Sequence, residues 1–291
     1  MNSNLALARH APLASHVEPA ACAAIGRAAT LALYDELALA PKPGLVSFVD
    51  SGSHRDMDAR TFMRSLFALR HAFPRFAALG AQGAPFEQLE QEGIGAEARM
   101  LSATGGVNTH RGAIFTLGLL CAAAGQLQQR REAMSAQAVR ETLLAAWGDA
   151  LAARAHRASE SHGARAARRH GLRSAGVEAA AGFPVLFETA LPALREALRQ
   201  GLTHDQARSN AFFATMAVLD DTNLVHRGGI AGLRDAQHAA RCYLSAGGAA
   251  RADAERHAQA LHAAFVARNL SPGGAADVLA AACWLQRVCV A

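Results

Sequence analysis

Apolar residues recur every three or four positions along almost the whole chain, and nowhere do β-branched residues alternate with polar ones over the length of a strand. That pattern calls for an all-α fold. Ile25, Leu31, Leu33 and Leu37 define a first helix that must stop before Pro41 and Pro43, because a residue preceding proline is pushed out of the α region. Phe62, Leu66, Leu69 and Phe73 mark a second helix. The spacing predicts further helices near 85–102, 109–125, 135–157, 185–200, 203–219, 230–246, 249–268 and 272–289. Thr203 with Gln206 reads as a capping box, and Ser271-Pro272 as an N-cap followed by proline at the first helical position. With no repeat and no long linker, residues 17–291 are expected to form one all-helical catalytic domain after a flexible N-terminus, 1–16.

Composition removes several classes of function. The 291 residues suffice for a sizeable core, and the apolar share is rich in Ala and Leu, with only 5% aromatics. The five cysteines, Cys22, Cys121, Cys242, Cys283 and Cys289, are scattered and form no CxxC, which fits reduced thiols in a cytoplasm and neither a disulfide frame nor a zinc site. The start lacks a basic segment followed by an apolar run, and the longest mostly apolar stretch, 112–125, is too short to span a bilayer, so neither a signal peptide nor a membrane span is expected. The net charge of +5 suits anionic partners. Residues 154–173 carry six arginines and three histidines against one acid, Glu160, but no aromatics for base stacking, so they read as a solvated basic face and no nucleic-acid partner is expected.

Chemistry is concentrated where helices join. Five joints, 41–58, 104–112, 170–184, 220–229 and 269–277, gather glycine, proline and polar residues. Glycine admits close backbone approach, and helix N-termini attract phosphate. Lys42 sits between two prolines, either as a fixed ammonium for a phosphate or as a surface lysine in a stiff loop. Asp56 and Asp58 could reach one hard cation or cap the following helix. Asn108, Thr109, His110 and Arg111 follow two glycines at a helix start, as a polyphosphate or ribose site requires, although the Walker A ending is absent. Asp220 and Asp221 follow a long helix, where adjacent carboxylates at the negative end call for a compensating cation or a buried basic partner. Ser271-Pro272-Gly273-Gly274, then Asp277, open the last helix with glycines in its first turn.

Together these segments resemble the triphosphoribosyl-dephospho-CoA synthases, which make the prosthetic-group precursor of citrate lyase and malonate decarboxylase. The matching pieces are PKPGLV (41–46), SHRDMD (53–58), TGGVNTHRGAIF (104–115), EAAAGFP (178–184), DTNLVHRGG (221–229) and SPGGAADVLA (271–280), in family order over about 30–285. Ser47, where citrate-lyase relatives often have Asp, points to the malonate decarboxylase branch. Two departures stand out: Gly176-Val177 occupy a place where many relatives carry Arg, and Arg111 replaces a frequent Lys. The resemblance implies glycosyl transfer: the ribose 2′-hydroxyl of 3′-dephospho-CoA attacks C1′ of the ATP ribose and adenine leaves. It implies Mg²⁺ on the triphosphate, with Asp56, Asp58, Asp220 and Asp221 as candidate metal ligands. It implies proton transfer by Asp221, His110 or His54, and substrate contacts from Lys42, Asn108, Thr109, Arg111, Asn223, Arg227, Gly273 and Gly274. A homodimer is compatible with the sequence. The rival enzyme reading is a metal-dependent helical hydrolase of nucleotides or ADP-ribosyl groups, but the sole His-Asp pair, His204-Asp205, falls inside the capping box. A non-enzymatic binding module using 154–173 would leave the acidic and glycine-rich joints without a role.

Overall fold

A computed structural model describes residues 18–156 and 162–289; the expectation for 1–16 and the middle of the basic stretch lie outside it. Among the described residues there is no strand, and helices follow one another with short joints. They are α1 (Pro19–Ala38), α2 (Ala59–Leu69), α3 (Ala72–Ala81), α4 (Phe86–Thr104), α5 (Arg111–Arg130), α6 (Ala136–His156), α7 (His162–His170), α8 (Ala175–Ala180), α9 (Leu191–Arg199), α10 (His204–Val218), α11 (Thr222–Ser245), α12 (Ala254–Ala267) and α13 (Gly273–Val288). None is long and apolar enough to cross a membrane.

α5 is the axis of the core. It is buried nearly all round, as a helix apolar on every face must be, and α1, α3, α4, α6 and α13 pack on it. The run Cys121-Ala122-Ala123-Ala124-Gly125 keeps its surface low, so α3 lies backbone to backbone against it: a Cβ on Gly80 would strike Ala122 and one on Gly125 would strike Ala77. Two tryptophans pin the periphery through their indole N–H groups, Trp147 to the Ala84 carbonyl at 3.0 Å and Trp284 to the Ile25 carbonyl at 3.1 Å.

Most predicted helices are present, and the exceptions have physical causes. The second helix is two, because the chain turns at Arg70-His71 and Phe73 begins a new packing face toward α1 and α5. α10 opens with the expected capping box, Thr203 Oγ accepting from Gln206 N–H and Gln206 Oε1 from Thr203 N–H. The helix expected from 230 starts at Thr222 and is interrupted at Gly229, whose φ of 65° and ψ of −171° only glycine adopts without strain. The 185–200 helix opens with one wide π turn, Leu186–Ala190. α13 starts at Gly273, so Pro272, not Ser271, stands at its N-cap, and neither residue caps it with a side chain.

Candidate active site

The carboxylate of Asp221 ties two joints together, 220–229 and 269–277. It caps α11 from outside, Oδ1 accepting from the Asn223 N–H at 2.9 Å. Its other oxygen accepts from the Ala275 N–H at 3.0 Å, in the first turn of α13. Gly274 leaves this carboxylate room, since a Cβ there would come within 3.1 Å of it, and a Cβ on Gly273 would come within 2.9 Å of Asn223 Nδ2. The expectation that Asp220 and Asp221 repel at a negative helix end is therefore corrected. Asp221 faces the positive starts of two helices, which offset part of its charge. Burial still dominates and raises its pKa to about 6, against the lowering effect of backbone N–H donors from Ala275, Asn223, Leu224 and Gly274.

Arg227, one turn and a half along α11, reaches back to the 41–58 joint. Its guanidinium donates to the Ser53 carbonyl at 3.0 Å, to Asn269 Oδ1 at 2.8 Å and to His54 Nδ1 at 3.0 Å. An arginine only donates, so His54 Nδ1 accepts and the ring proton sits on Nε2, which donates to Ser271 Oγ at 2.9 Å. Burial first, then Arg227, holds His54 below the usual imidazole range, against the pull of Asp56. Ser53 Oγ donates to the Leu270 carbonyl at 2.6 Å and closes the tie. A polar recess of about 720 Å³ opens here, lined by His54, Arg55, Asp56, Arg227 and Asn269 among others.

Behind this layer lies a set of buried ionisable groups. Lys42 is 1% exposed, and its ammonium donates to the backbone carbonyl and the carboxylate of Glu36, at the end of α1. Thr109 Oγ donates to Ser65 Oγ at 2.8 Å, which leaves the Ser65 proton for His110 Nδ1 at 2.6 Å. His110 Nε2 is buried and has no hydrogen-bond partner. Burial, aided by Lys42, drives the His110 pKa down to about 3, so the ring is neutral. Asp277, on the first turn and a half of α13, accepts from the Ala113 N–H at the start of α5 and lies so close to Gly112 that a Cβ there would overlap its carboxylate. Burial, with the charges of Glu36 and Asp221, holds its pKa well above the usual carboxylate range.

The expected site residues thus fall into two groups. Lys42, His54, Thr109, His110, Asp221, Arg227, Gly273 and Gly274 are drawn into one contiguous set of joints, with Asn223 exposed beside Gly273. Others are engaged elsewhere. Arg111 is exposed and paired with Glu97, while Asn108 Oδ1 accepts from the Arg111 N–H at 3.1 Å and so serves the start of α5. Asp58 caps α2, accepting from the Thr61 N–H and hydroxyl at 2.8 Å each. Asp220 accepts from the Arg173 N–H at 2.9 Å. Asp205 of the His-Asp pair is engaged by Arg208 at 3.0 Å. Lys42 is committed to Glu36 and does not stand free for a phosphate.

The four carboxylates read as metal ligands do not fit a shared metal centre. Among the described residues no group of three or more His, Cys, Asp or Glu is arranged to hold a metal ion. Asp221 turns both its oxygens, and Asp58 one of its two, to backbone N–H groups at helix starts.

Two participants, Glu36 and Ser65, escaped sequence reasoning, and a third, Asp277, was named in its joint without a role. Glu36 gives no signal in its helix beyond being an acid in an apolar stretch, and Ser65 looks like any helical serine. For Asp277 the signal was there to assign a role: an acid on the first turns of a helix that already opens with two glycines has a face to present to the same close neighbour.

A profile of the ATP:dephospho-CoA triphosphoribosyl transferase family matches residues 22–290. The chain is 42% identical over 262 residues to a protein of Azotobacter vinelandii described as a probable 2-(5''-triphosphoribosyl)-3'-dephosphocoenzyme-A synthase, with 88% of each chain covered. A Vibrio cholerae protein of the same description is 40% identical over 271 residues, covering 90% of this chain and 86% of its own. One from Acinetobacter calcoaceticus is 35% identical over 260 residues, with 89% of each chain covered. No solved structure matches. The glycine-rich joints that meet around Asp221, Arg227 and Asp277 thus belong to a sequence that shares most of its length with these synthases, and the chain belongs to the ATP:dephospho-CoA triphosphoribosyl transferase family.

Proposed function

We propose that the protein transfers the triphosphoribosyl group of ATP to the 2′-hydroxyl of 3′-dephospho-CoA and releases adenine. The observation that carries this reading is the family match across residues 22–290. The 2′-oxygen forms a bond to C1′ of the ATP ribose, the C1′–N9 bond breaks, and adenine leaves with the electron pair. One proton must leave the attacking hydroxyl and one must reach the purine.

Asp277 is our assignment for proton transfer. Held protonated by its raised proton affinity, it can give that proton to the departing adenine and regain one from the attacking 2′-hydroxyl, and Gly112 and Ala113 fix its position. Asp221 is a positioning residue, since both its oxygens are engaged by helix starts. His54 orients Arg227, and Arg227 faces the polar recess with a guanidinium suited to a phosphate. Asn223, exposed beside Gly273, suits a ribose hydroxyl. Mg²⁺ enters as the counter-ion of the triphosphate rather than in a protein cage. The reading as the malonate decarboxylase branch rests on Ser47 and the 41–58 segment.

The test is adenine release from ATP, followed by chromatography and product mass. One adenine per triphosphoribosyl group added to dephospho-CoA, and none in its absence, is the expected result. Adenine or phosphate released without dephospho-CoA would replace the transferase with a hydrolase. Rescue of apo malonate decarboxylase, but not apo citrate lyase, in a strain lacking its own synthase would fix the branch.

A further inference from the structure

A second recess, of about 600 Å³, lies against the outer face of α2 and differs in kind from the polar one. Its walls are apolar: Phe48 from the 41–58 joint, Met63 and Phe67 from α2, and Ala103 from the end of α4, just before the 104–112 joint. Phe67 is 56% and Phe48 49% exposed, high values for large apolar side chains in a chain whose other phenylalanines mostly lie in the core. Three arginines rim the groove, Arg60, Arg64 and Arg70. No ion pair among the described residues includes any of them. Arg64 and Arg70 hydrogen-bond to Thr61 Oγ and the Phe67 carbonyl, and Asp58, which caps α2, attracts Arg60 and Arg64 only through space and pairs with neither.

A shallow apolar floor with three guanidiniums on its rim, none of them in an ion pair, suits a ligand that is apolar along its length and doubly anionic at one end. The pantetheine arm of dephospho-CoA, joined to its diphosphate, has that form. α2 also connects the groove to the reaction site. Its inner face carries Ser65 to His110, and its N-terminus follows directly on the loop that holds His54. We infer that the groove between Phe48, Met63 and Phe67 holds the pantetheine arm of the acceptor, with Arg60 and Arg64 on its diphosphate, while ATP occupies the polar recess. This inference rests on the transferase reading.

The experiment is titration calorimetry of the full chain with dephospho-CoA and, separately, with ATP. Two double variants are used, Met63→Ser with Phe67→Ser and Arg60→Gln with Arg64→Gln. Wild type should bind both ligands. Each double variant should weaken dephospho-CoA by about tenfold or more, as loss of an apolar floor or a phosphate clamp implies, and leave ATP within about twofold. The arginine pair lies on exposed side chains and keeps the test valid should the apolar pair melt early. Unchanged dephospho-CoA affinity in a variant that melts with wild type would overturn the groove assignment alone. That assignment also falls if the apolar variant loses a dimer on size exclusion yet keeps its dephospho-CoA affinity, which makes the groove a self-association surface. Failure of wild type to bind dephospho-CoA would instead overturn the transferase reading, and the groove assignment with it.

Discussion

Asp221 Oδ2 accepts from the Ala275 N–H at 3.0 Å, and this bond fastens the first turn of α13 to the first turn of α11. Because Pro272 offers α13 no side-chain cap, the missing acceptor is supplied from 54 residues away. The same principle recurs where Asp277 serves the start of α5. Two helix N-termini, those of α13 and α5, are thus held by carboxylates from elsewhere in the chain. The positive ends that make a helix start attractive to a triphosphate are here partly used in assembling the site itself.

Lys42 should matter for folding before it matters for ATP. Its ammonium is buried against Glu36, so Lys42→Met leaves a buried carboxylate alone and should remove about 3–5 kcal/mol of stability. Adding Glu36→Gln should recover part of the loss. Urea denaturation of the single and double variants measures both. A stable Lys42→Met protein with weakened ATP binding would return Lys42 to the role of a phosphate contact.

Gly112→Ala tests the placement of Asp277. The added Cβ would overlap the Asp277 carboxylate, which must move. Overpacking should cost about 1–3 kcal/mol in stability. Displacement of the proton-transfer group should lower the rate of adenine release roughly a hundredfold, the scale of loss from a misplacement near 1 Å. Full activity in the folded variant would remove Asp277 from the chemistry.

Much of this was legible in the sequence, for reasons that also mark its limit. Helices follow from local periodicity, and the joints announce themselves by glycine and proline. Which joint touches which does not follow from spacing, because Arg227 meets Ser53 and His54 across more than 170 positions. The acidic pair misled for a related reason. Read locally, Asp221 ends a helix; in three dimensions it begins two. Arg111 misled in the opposite way, since a guanidinium at a glycine-rich helix start reads as a phosphate ligand while Glu97, fourteen positions earlier, is its partner.

Arg227 makes a prediction that separates binding from architecture. Arg227→Ala should weaken ATP by about 1.5–3 kcal/mol, the scale of a charge-assisted hydrogen bond. Calorimetry with ATP reads this. Loss of the guanidinium also removes one of the causes that lower the His54 pKa, so His54 should titrate at higher pH by NMR. Arg227→Lys should restore charge but not the forked contacts to Ser53, Asn269 and His54, and should fall between. ATP affinity unchanged in Arg227→Ala, with the His54 shift present, would make Arg227 a positioning residue only.

The last prediction uses two buried groups that titrate against each other. His110 has a folded pKa of about 3, below its unfolded 6.5. Between these values the unfolded chain binds the extra proton, so the stability this group contributes is present above 6.5 and is lost as pH falls toward 3. Asp221 has a folded pKa of about 6, above its unfolded 3.8. Between these values the folded chain binds the extra proton, so its contribution is largest below 3.8 and is lost as pH rises through 6. The windows overlap from about pH 4 to pH 6, where the two slopes have opposite sign and each amounts to about 1.4 kcal/mol per pH unit. In the wild-type protein they cancel there. Asp221→Asn removes one slope, so relative to wild type its stability should fall as pH goes from 6 to 4. His110→Asn, whose amide oxygen can accept from Ser65 in place of Nδ1, removes the other, so its stability should rise over the same interval. Urea denaturation of the three proteins at half-unit steps of pH measures the divergence. Curves that stay parallel from pH 6 to pH 4 would mean that each group binds protons alike in the folded and the unfolded chain, and that solvent reaches both.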